Sequence, residues 1–284
     1  MRVVIALLMM TGAVTAQVNF SGEWSPRYHE DQPDRIPGPE LGDYTGLPIH
    51  EGTRLSADSW DASRLTLLEH QCKVHNAPYI YHGPMQVRIA EVHEPFTQRL
   101  LAITHYINTY EQARTIWMDG RPHPPAWAPH TWMGFSTGRW EGDILVVTTT
   151  HLKQEWIRRN GIPNSDRSTM IEHFIRHGNV FTHVTQWTDP VYLSEPLVRS
   201  EDFVLNERSG GNWLWPCEYV DEVAERPRDE VPHYLPGKSP FIGDFAYHYG
   251  VPVEAAKGGV ETMYPEYQAT LRKLPPPPRP VQAP

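Results

Sequence analysis

The chain has 284 residues, with 34 Asp and Glu against 25 Lys and Arg, which gives a formal net charge of −9. Nucleic-acid binding depends on clustered Lys and Arg, so this acidic balance argues against a nucleic-acid partner. The chain has 15 His but only two Cys, so we expect its chemistry to use imidazole and carboxylate groups rather than thiolates.

The N-terminus has the pattern of a secretory signal peptide. Arg2 precedes an apolar run over residues 3–10, and residues 14–16 supply small side chains before a cleavage point. The run is far shorter than the ~20 apolar residues that span a bilayer, and no later segment is uniformly apolar. We therefore expect residues 1–16 to be removed and the mature protein to be periplasmic or secreted, without an integral membrane segment. An uncleaved N-terminal anchor is the alternative.

The rest of the sequence predicts a single β domain over residues 17–273, followed by a Pro-rich disordered tail over residues 274–284. A short strand over residues 20–24 is followed by a Pro- and Gly-rich excursion and then by a helix over residues 57–70, which Ser56 could cap. Beyond this helix the apolar period changes to two, which is typical of strands. The predicted strands cover residues 85–92, 101–107, 114–118, 132–140, 144–150, 169–177, 180–187 and 197–205.

This succession of strands favours a mainly β fold, an antiparallel barrel or sandwich of lipocalin-like architecture with one or two short helices and long Pro-rich excursions. Tight turns are predicted at Gly142 and at Gly178-Asn179, where glycine allows a positive φ. A second short helix is expected near residues 241–249, ended by Gly250.

Cys72 and Cys217 are the two cysteines of the chain. In an exported protein an even number of cysteines predicts a disulfide, here one that joins the early helix region to the segment after the last strand. Two buried free thiols are the alternative.

Four segments of the sequence resemble those of a known family. They are Glu69-His70-Gln71-Cys72, the loop Asp119-Gly120-Arg121-Pro122-His123-Pro124, the hairpin from Trp132-Met133-Gly134 to Val147 with its Trp-Glu-Gly-Asp turn, and Asp189-Pro190-Val191-Tyr192. Across most of the mature chain they make it similar to a widespread family of secreted bacterial proteins of uncharacterised function. The resemblance implies membership of that family and carries no activity. A Gly-x-Trp near the first strand and the serial hairpins also resemble the lipocalins.

Three histidines on predicted strands, His105, His173 and His183, are candidate metal ligands. His105 and His173 each share a strand face with isoleucines, so we expect both to point into the barrel, where burial favours the neutral imidazole. A two-residue turn at Gly178-Asn179 puts His183 on the face of Glu172, whereas a three-residue turn makes it face His173. Only the second arrangement gives a ready pair of imidazoles. The cofactor is therefore unknown, with a divalent transition metal as the hypothesis and hydrogen-bonded core histidines as the alternative.

Polar residues in loops and at strand ends form a second candidate site, where they could act as catalytic acids and bases. Asp119, His123 and His130 lie in a loop that several prolines stiffen, and preorganised polar groups are what a catalytic site requires. His151 ends a predicted strand, and Asp166 follows in a polar, aromatic stretch at the expected barrel mouth. A purely structural Asp-Gly-Arg-Pro turn is the alternative.

These features favour a secreted protein with a small-molecule pocket. The first hypothesis is an enzyme, a hydrolase, lyase or isomerase, that uses His and carboxylate acid–base or metal-assisted chemistry. Its substrate would be lipophilic, aromatic or sugar-derived, because Trp and Tyr are abundant. The sequence has no Gly-x-Ser-x-Gly elbow, phosphate loop or dinucleotide fingerprint. The alternatives are a non-catalytic periplasmic ligand-binding protein and an envelope structural or interaction protein.

Overall fold

The computed structural model describes residues 18–27, 40–81, 86–108, 111–158, 160–206, 216–277 and 279. Its strands are β1 (Gly22–Pro26), β2 (Val87–His93), β3 (Leu100–Ile107), β4 (Gln112–Trp117), β5 (Phe135–Glu141), β6 (Ile144–Thr150), β7 (Glu155–Arg158), β8 (Ile162–Asn164), β9 (Thr169–His177), β10 (Val180–Thr188) and β11 (Leu197–Leu205). Its α-helices are α1 (Glu51–Ala57), α2 (Ala77–Ile80), α3 (Asp244–Tyr249), α4 (Val253–Ala256) and α5 (Pro265–Leu271).

Nine strands form a closed barrel in the order β1-β11-β10-β9-β6-β5-β4-β3-β2, and β7 and β8 form a separate two-stranded sheet. The prediction of a mainly β barrel is therefore confirmed. One neighbouring pair departs from the otherwise antiparallel order, because β4 and β5 run parallel, with Ile116 opposite Ser136. Parallel neighbours need a crossover connection. Residues 118–134, which include the Pro-rich loop, supply that crossover.

Side chains on the barrel strands alternate between the interior and the outer surface, as the two-residue period requires. Large aromatic side chains fill part of the interior. Phe181 stacks on Phe203 with ring centroids 4.7 Å apart, and the edge of Trp24 meets Phe181 at the same distance. Phe20 and Phe174 complete this aromatic group, and all five side chains are buried.

The helix that the sequence predicts over residues 57–70 is wrong, because α1 ends at Ala57 and a short 3-10 helix follows over Ala62–Thr66. Local hydrogen bonds explain the difference, since Ser and Asp side chains compete with helical backbone bonding. Asp61 accepts from the backbone N–H of Ser63 at 2.9 Å, and the Ser59 hydroxyl donates to the carbonyl of Ser56 at 2.6 Å.

The helix expected near residues 241–249 is confirmed by α3, which ends at Gly250 in the left-handed conformation. The structure adds β7, β8, α2, α4 and α5, which the sequence did not predict. The predicted signal peptide, residues 1–16, and residues 278 and 280–284 of the predicted tail lie outside the described residues. Across the described ranges, no helix combines the length and the hydropathy needed to cross a bilayer.

The predicted disulfide between Cys72 and Cys217 is confirmed, and it joins residues 145 positions apart. Close to it, the side-chain oxygen of Gln71 accepts a hydrogen bond of 2.8 Å from the backbone N–H of Val220. The disulfide thus fastens the segment that leads into α2 to the chain beyond β11. Directly after α2, Tyr81 is fully buried among side chains of the barrel interior.

Gly142 in the turn between β5 and β6 has a φ of 60°, and a Cβ placed there would meet no atom within 4 Å. Replacing Gly142 by Val should therefore lower the free energy of unfolding by about 1–2 kcal/mol through backbone strain alone. Gly142→Asn is the matched control and should cost less, because Asn tolerates the left-handed region. Urea unfolding of the two variants measures the difference, and equal losses for Val and Asn would contradict the assignment of strain.

Candidate functional site

Five side chains from different elements meet inside the barrel and form what we call the buried polar layer. Tyr81 follows α2, His105 lies on β3, Arg114 on β4, Glu172 on β9 and His183 on β10. Each is at most 1% exposed. Their positions follow from strand alternation, because each strand member of the layer shares the inward face of its strand with apolar core residues. Charged groups at this depth need partners, since buried unpaired charges are strongly unfavourable.

Arg114 and Glu172 form an ion pair at the centre of the layer. Nη1 of Arg114 donates to Oε1 of Glu172 at 2.8 Å, and Nη2 donates to Oε2 of the same carboxylate. The guanidinium also donates to the Thr149 hydroxyl at 2.7 Å and, through Nε, to the Ser136 hydroxyl at 3.2 Å. This fork-to-fork arrangement is the strong form of a carboxylate contact, and it fixes both charges.

Tyr81 connects this ion pair to His105. Nη1 of Arg114 donates to the Tyr81 hydroxyl at 3.0 Å, and the hydroxyl lies 2.5 Å from Nδ1 of His105. A guanidinium can only donate, so the phenol oxygen accepts from Arg114 and its proton points to His105. The hydrogen of neutral His105 is therefore on Nε2, a buried atom that makes no hydrogen bond with any described residue.

His105 and Tyr81 are both neutral near neutral pH. Burial, reinforced by the nearby positive charge of Arg114, lowers the pKa of His105 to about 3. Burial also raises the pKa of Tyr81 well above its usual value, because the phenolate is disfavoured in the interior.

The pKa of His183 is shifted in the opposite direction to that of His105. Its Nε2 lies 2.9 Å from Oε1 of Glu172, and its Nδ1 lies 3.8 Å from Oε2 of Glu201. Burial alone would lower the pKa of His183, but the two carboxylates outweigh burial and raise the pKa above its usual value. Burial would likewise raise the pKa of Glu172, yet Arg114 and His183 hold it at about 2.

The pKa values of the two imidazoles are therefore shifted in opposite directions within one small space. Both rings contact Phe174, with ring centroids 5.2 Å away for His105 and 4.5 Å away for His183. Both also contact the Tyr81 ring, at 5.8 Å and 4.5 Å respectively. Environments that push the pKa values of neighbouring groups apart are typical of an acid and a base that act together.

The structure does not bring His105 and His173 together, so the prediction that they share one site is wrong. The turn at Gly178-Asn179 has two residues, and His183 pairs with Phe174. His173 thus lies on the outer face of β9, whereas His183 shares the inner face with Glu172. In the described part of the chain, no three His, Cys, Asp or Glu side chains are grouped to hold a metal. The cation Arg114 already neutralises Glu172.

The predicted loop residues lie on the outside of the barrel. His123 lies between two hydroxyls of the outer face, with Nδ1 2.8 Å from Thr150 and Nε2 2.8 Å from Thr137. Burial, followed by the nearby His151, lowers the pKa of His123. The ring of His151 lies 5.1 Å from that of His130. His123 and His130 belong to the crossover, and His151, directly after β6, lies next to them, away from the buried polar layer.

The remaining two predicted residues stand apart from both groups. Asp119 pairs with Arg121, whose hydrogen bond lowers the pKa of Asp119 to about 2. The Arg121 guanidinium also lies 3.5 Å from the centre of the Trp117 ring. These contacts match the structural alternative for the Asp-Gly-Arg-Pro turn. Asp166 is exposed in the loop after β8.

The functional candidates predicted from the sequence do not include Tyr81, Arg114 or Glu172. A signal for Arg114 existed, because it shares the inner face of β4 with the apolar Ile116, and a charge on such a face implies a buried partner. Glu172 gave the same signal on β9. Tyr81 gave none, since it lies outside the barrel strands.

Comparisons of this chain with family models, with curated proteins and with solved structures find no match. The resemblance to a family of secreted bacterial proteins therefore stays a prediction. The function has to be inferred from the buried polar layer itself.

Removing one member of the Arg114 and Glu172 pair leaves the other charge buried without its partner. Arg114→Met and Glu172→Met should each lower the free energy of unfolding by about 3–5 kcal/mol. The double variant replaces both charges by apolar side chains of similar length and should recover much of that loss. Denaturant unfolding of the parent protein and the three variants gives a double-mutant cycle. Losses of unfolding free energy that simply add in the double variant would show that the pair is not coupled.

The depressed pKa of His105 predicts a specific loss of stability in acid. Between pH 6 and pH 4.5 the unfolded chain protonates this imidazole while the folded chain does not. The free energy of unfolding should therefore fall by up to ~1.4 kcal/mol per pH unit on account of His105 alone. His183 contributes little there, because its raised pKa keeps it protonated in both states.

His105→Gln keeps a neutral acceptor for Tyr81 and removes the titration. Its free energy of unfolding is measured in urea between pH 6 and pH 4.5. The slope of this free energy against pH should be smaller than that of the parent protein by the equivalent of about one bound proton. Parallel curves for the two proteins would contradict the burial of a neutral His105.

Proposed function

We propose that the protein binds a small molecule inside its barrel and uses the imidazole and carboxylate groups of the buried polar layer for acid–base chemistry. One observation carries the proposal. The layer lowers the pKa of His105 and raises the pKa of His183, and both imidazoles contact the same two aromatic rings. General acid–base catalysis needs one group that gives a proton and one that takes it. Environments that push the pKa values of two neighbouring groups apart are typical of such a pair.

The roles follow from the hydrogen bonds. His183 is the proton donor, and the fixed carboxylate of Glu172 orients it through the 2.9 Å contact. His105 is the proton acceptor, and its Nδ1 faces the Tyr81 hydroxyl. Arg114 keeps Glu172 ionised, so it acts as a positioning residue for His183 rather than as a group that exchanges protons.

The substrate class is lipophilic, aromatic or sugar-derived, and the surroundings of the layer support the aromatic and lipophilic members of that set. Phe174 packs against both imidazoles, and Phe181 and Phe203 lie next in the core. Export to the periplasm or beyond is part of the proposal. The disulfide supports it, because such bonds persist mainly in oxidising compartments.

A non-catalytic ligand-binding role is the second candidate, and the bonding of Arg114 favours it. Its guanidinium is fully engaged by Glu172, Tyr81, Ser136 and Thr149. Such a saturated network can hold a rigid binding cavity without exchanging protons.

Hydrolysis of three chromogenic compounds tests the proposal. p-Nitrophenyl acetate, p-nitrophenyl decanoate and p-nitrophenyl N-acetylglucosaminide represent the aromatic, lipophilic and sugar-derived classes and release the same product. We expect turnover of at least one, with a loss on the order of 100-fold in kcat/KM for His105→Gln and for His183→Gln.

His173→Gln is the matched control. His173 lies on β9, the strand that pairs with the strand of His183, but its side chain is on the outer face of the barrel. This variant should retain the activity of the parent protein. Equal rates in all three variants would refute the catalytic role of the layer. Ligand-dependent thermal stabilisation without turnover of any compound would favour the binding role instead.

A further inference from the structure

The Tyr81 side chain enters the barrel from outside the barrel strands. It follows α2 at the end of what we call the plug segment, residues 72–81. Within the barrel its hydroxyl accepts from Arg114 at 3.0 Å and faces Nδ1 of His105. A donor and an acceptor are thus positioned for one phenolic hydroxyl, and both belong to barrel strands.

The ring of Tyr81 is surrounded by other aromatic side chains of the barrel interior. It lies 4.5 Å from the His183 ring, and its edge contacts place it 6.2 Å from Phe174 and 6.5 Å from Phe203 between ring centroids. Arg114 approaches the same ring at 5.8 Å. The barrel therefore presents an aromatic-walled socket with two hydroxyl-binding groups at its polar side. Rings and hydroxyls held in this way are recognised by shape and by hydrogen bonds together.

The start of the plug segment is held by a disulfide and by an ion pair. Cys72 is bonded to Cys217, and Lys73 pairs with Glu155 at 3.0 Å while lying 4.8 Å from the ring centres of Trp132 and Trp156.

At the middle of the plug segment, Asn76 donates to the side-chain oxygen of Asn164 at 2.8 Å. From Ala77 onward the segment is one short helix of four residues, α2. So short a helix has little stability of its own, and its place depends on the contacts of Tyr79, Ile80 and Tyr81.

We infer that the ligand of this barrel is a phenol, an aromatic molecule whose hydroxyl takes the position of the Tyr81 hydroxyl between Arg114 and His105. α2 moves aside to admit it, while the disulfide and Lys73 keep the start of the plug segment in place. The inference rests on the proposed function and names its ligand class. The closed form holds Tyr81 in the socket, so the affinity for an external phenol is reduced by the free energy of opening.

p-Cresol, which is the tyrosine side chain as a free molecule, is the probe, and toluene is the matched compound without the hydroxyl. In Tyr81→Gly the socket is emptied, and p-cresol should bind about 10- to 100-fold more tightly than toluene, because toluene leaves Arg114 and His105 without their partner. Titration calorimetry measures both affinities.

Tyr81→Phe tests the same inference with the ring retained. The closed form loses its two hydroxyl hydrogen bonds and opens more readily, so p-cresol should bind about 10-fold more tightly than it binds the parent protein. Tyr79→Phe is the matched control, since Tyr79 is buried in the same helix and is not hydrogen-bonded to Arg114 or His105. It should change the affinity for p-cresol less than twofold.

Equal binding of p-cresol and toluene to Tyr81→Gly would overturn the inference. So would a failure of Tyr81→Phe and the parent protein to bind p-cresol at millimolar concentration, because Tyr81 would then be a core residue only. The Tyr81→Phe result decides the question if Tyr81→Gly does not fold. The hydrolysis of p-nitrophenyl compounds is a separate readout: turnover without p-cresol binding would refute the phenol and leave the acid–base proposal standing.

Discussion

The ion pair of Arg114 and Glu172 is the interaction on which the centre of this barrel depends. Removing an ion from water costs several kcal/mol even after the protein relaxes, so neither charge can stay in the interior without the other. The pair also orients its neighbours. Arg114 directs the Tyr81 proton towards His105, and Glu172 holds the proton on His183. The tautomer of His105 and the raised pKa of His183 therefore both depend on this ion pair.

The topology explains how these residues meet. His105 and Arg114 are directly opposite each other on the antiparallel pair of β3 and β4. The parallel step from β4 to β5 closes the barrel and needs the crossover of residues 118–134. The two threonine hydroxyls that bind His123 fasten this crossover to the outer face. The loop histidines that the sequence singles out thus have a structural explanation in the closure of the barrel.

Much of the fold could be predicted from the sequence, because strand alternation and glycine turns are local signals. β9 and β10 agree with their predicted ranges, and the two-residue turn at Gly178 was one of the two alternatives considered. The prediction of a helix over residues 57–70 was wrong because Ser and Asp side chains form local hydrogen bonds there, and the spacing of apolar residues does not reveal them. The predicted inward orientation of His173 was wrong for another reason. Ile171 and Ile175 make the outer face of β9 as apolar as its inner face, so the sequence pattern cannot distinguish the two faces.

The candidate site was harder to predict because its contacts are long-range. Arg114 and Glu172 are 58 positions apart, and only closure of the barrel makes them neighbours. Tyr81 shows this most clearly, since its position depends on how a short helix packs against barrel strands that come from both earlier and later in the chain. Its hydroxyl is the one group that belongs both to the plug segment and to the polar layer. A molecule that displaces this hydroxyl must form the same two hydrogen bonds, or Arg114 and His105 stay buried without them. Entry to the barrel interior therefore depends on the hydrogen-bonding groups of the buried polar layer.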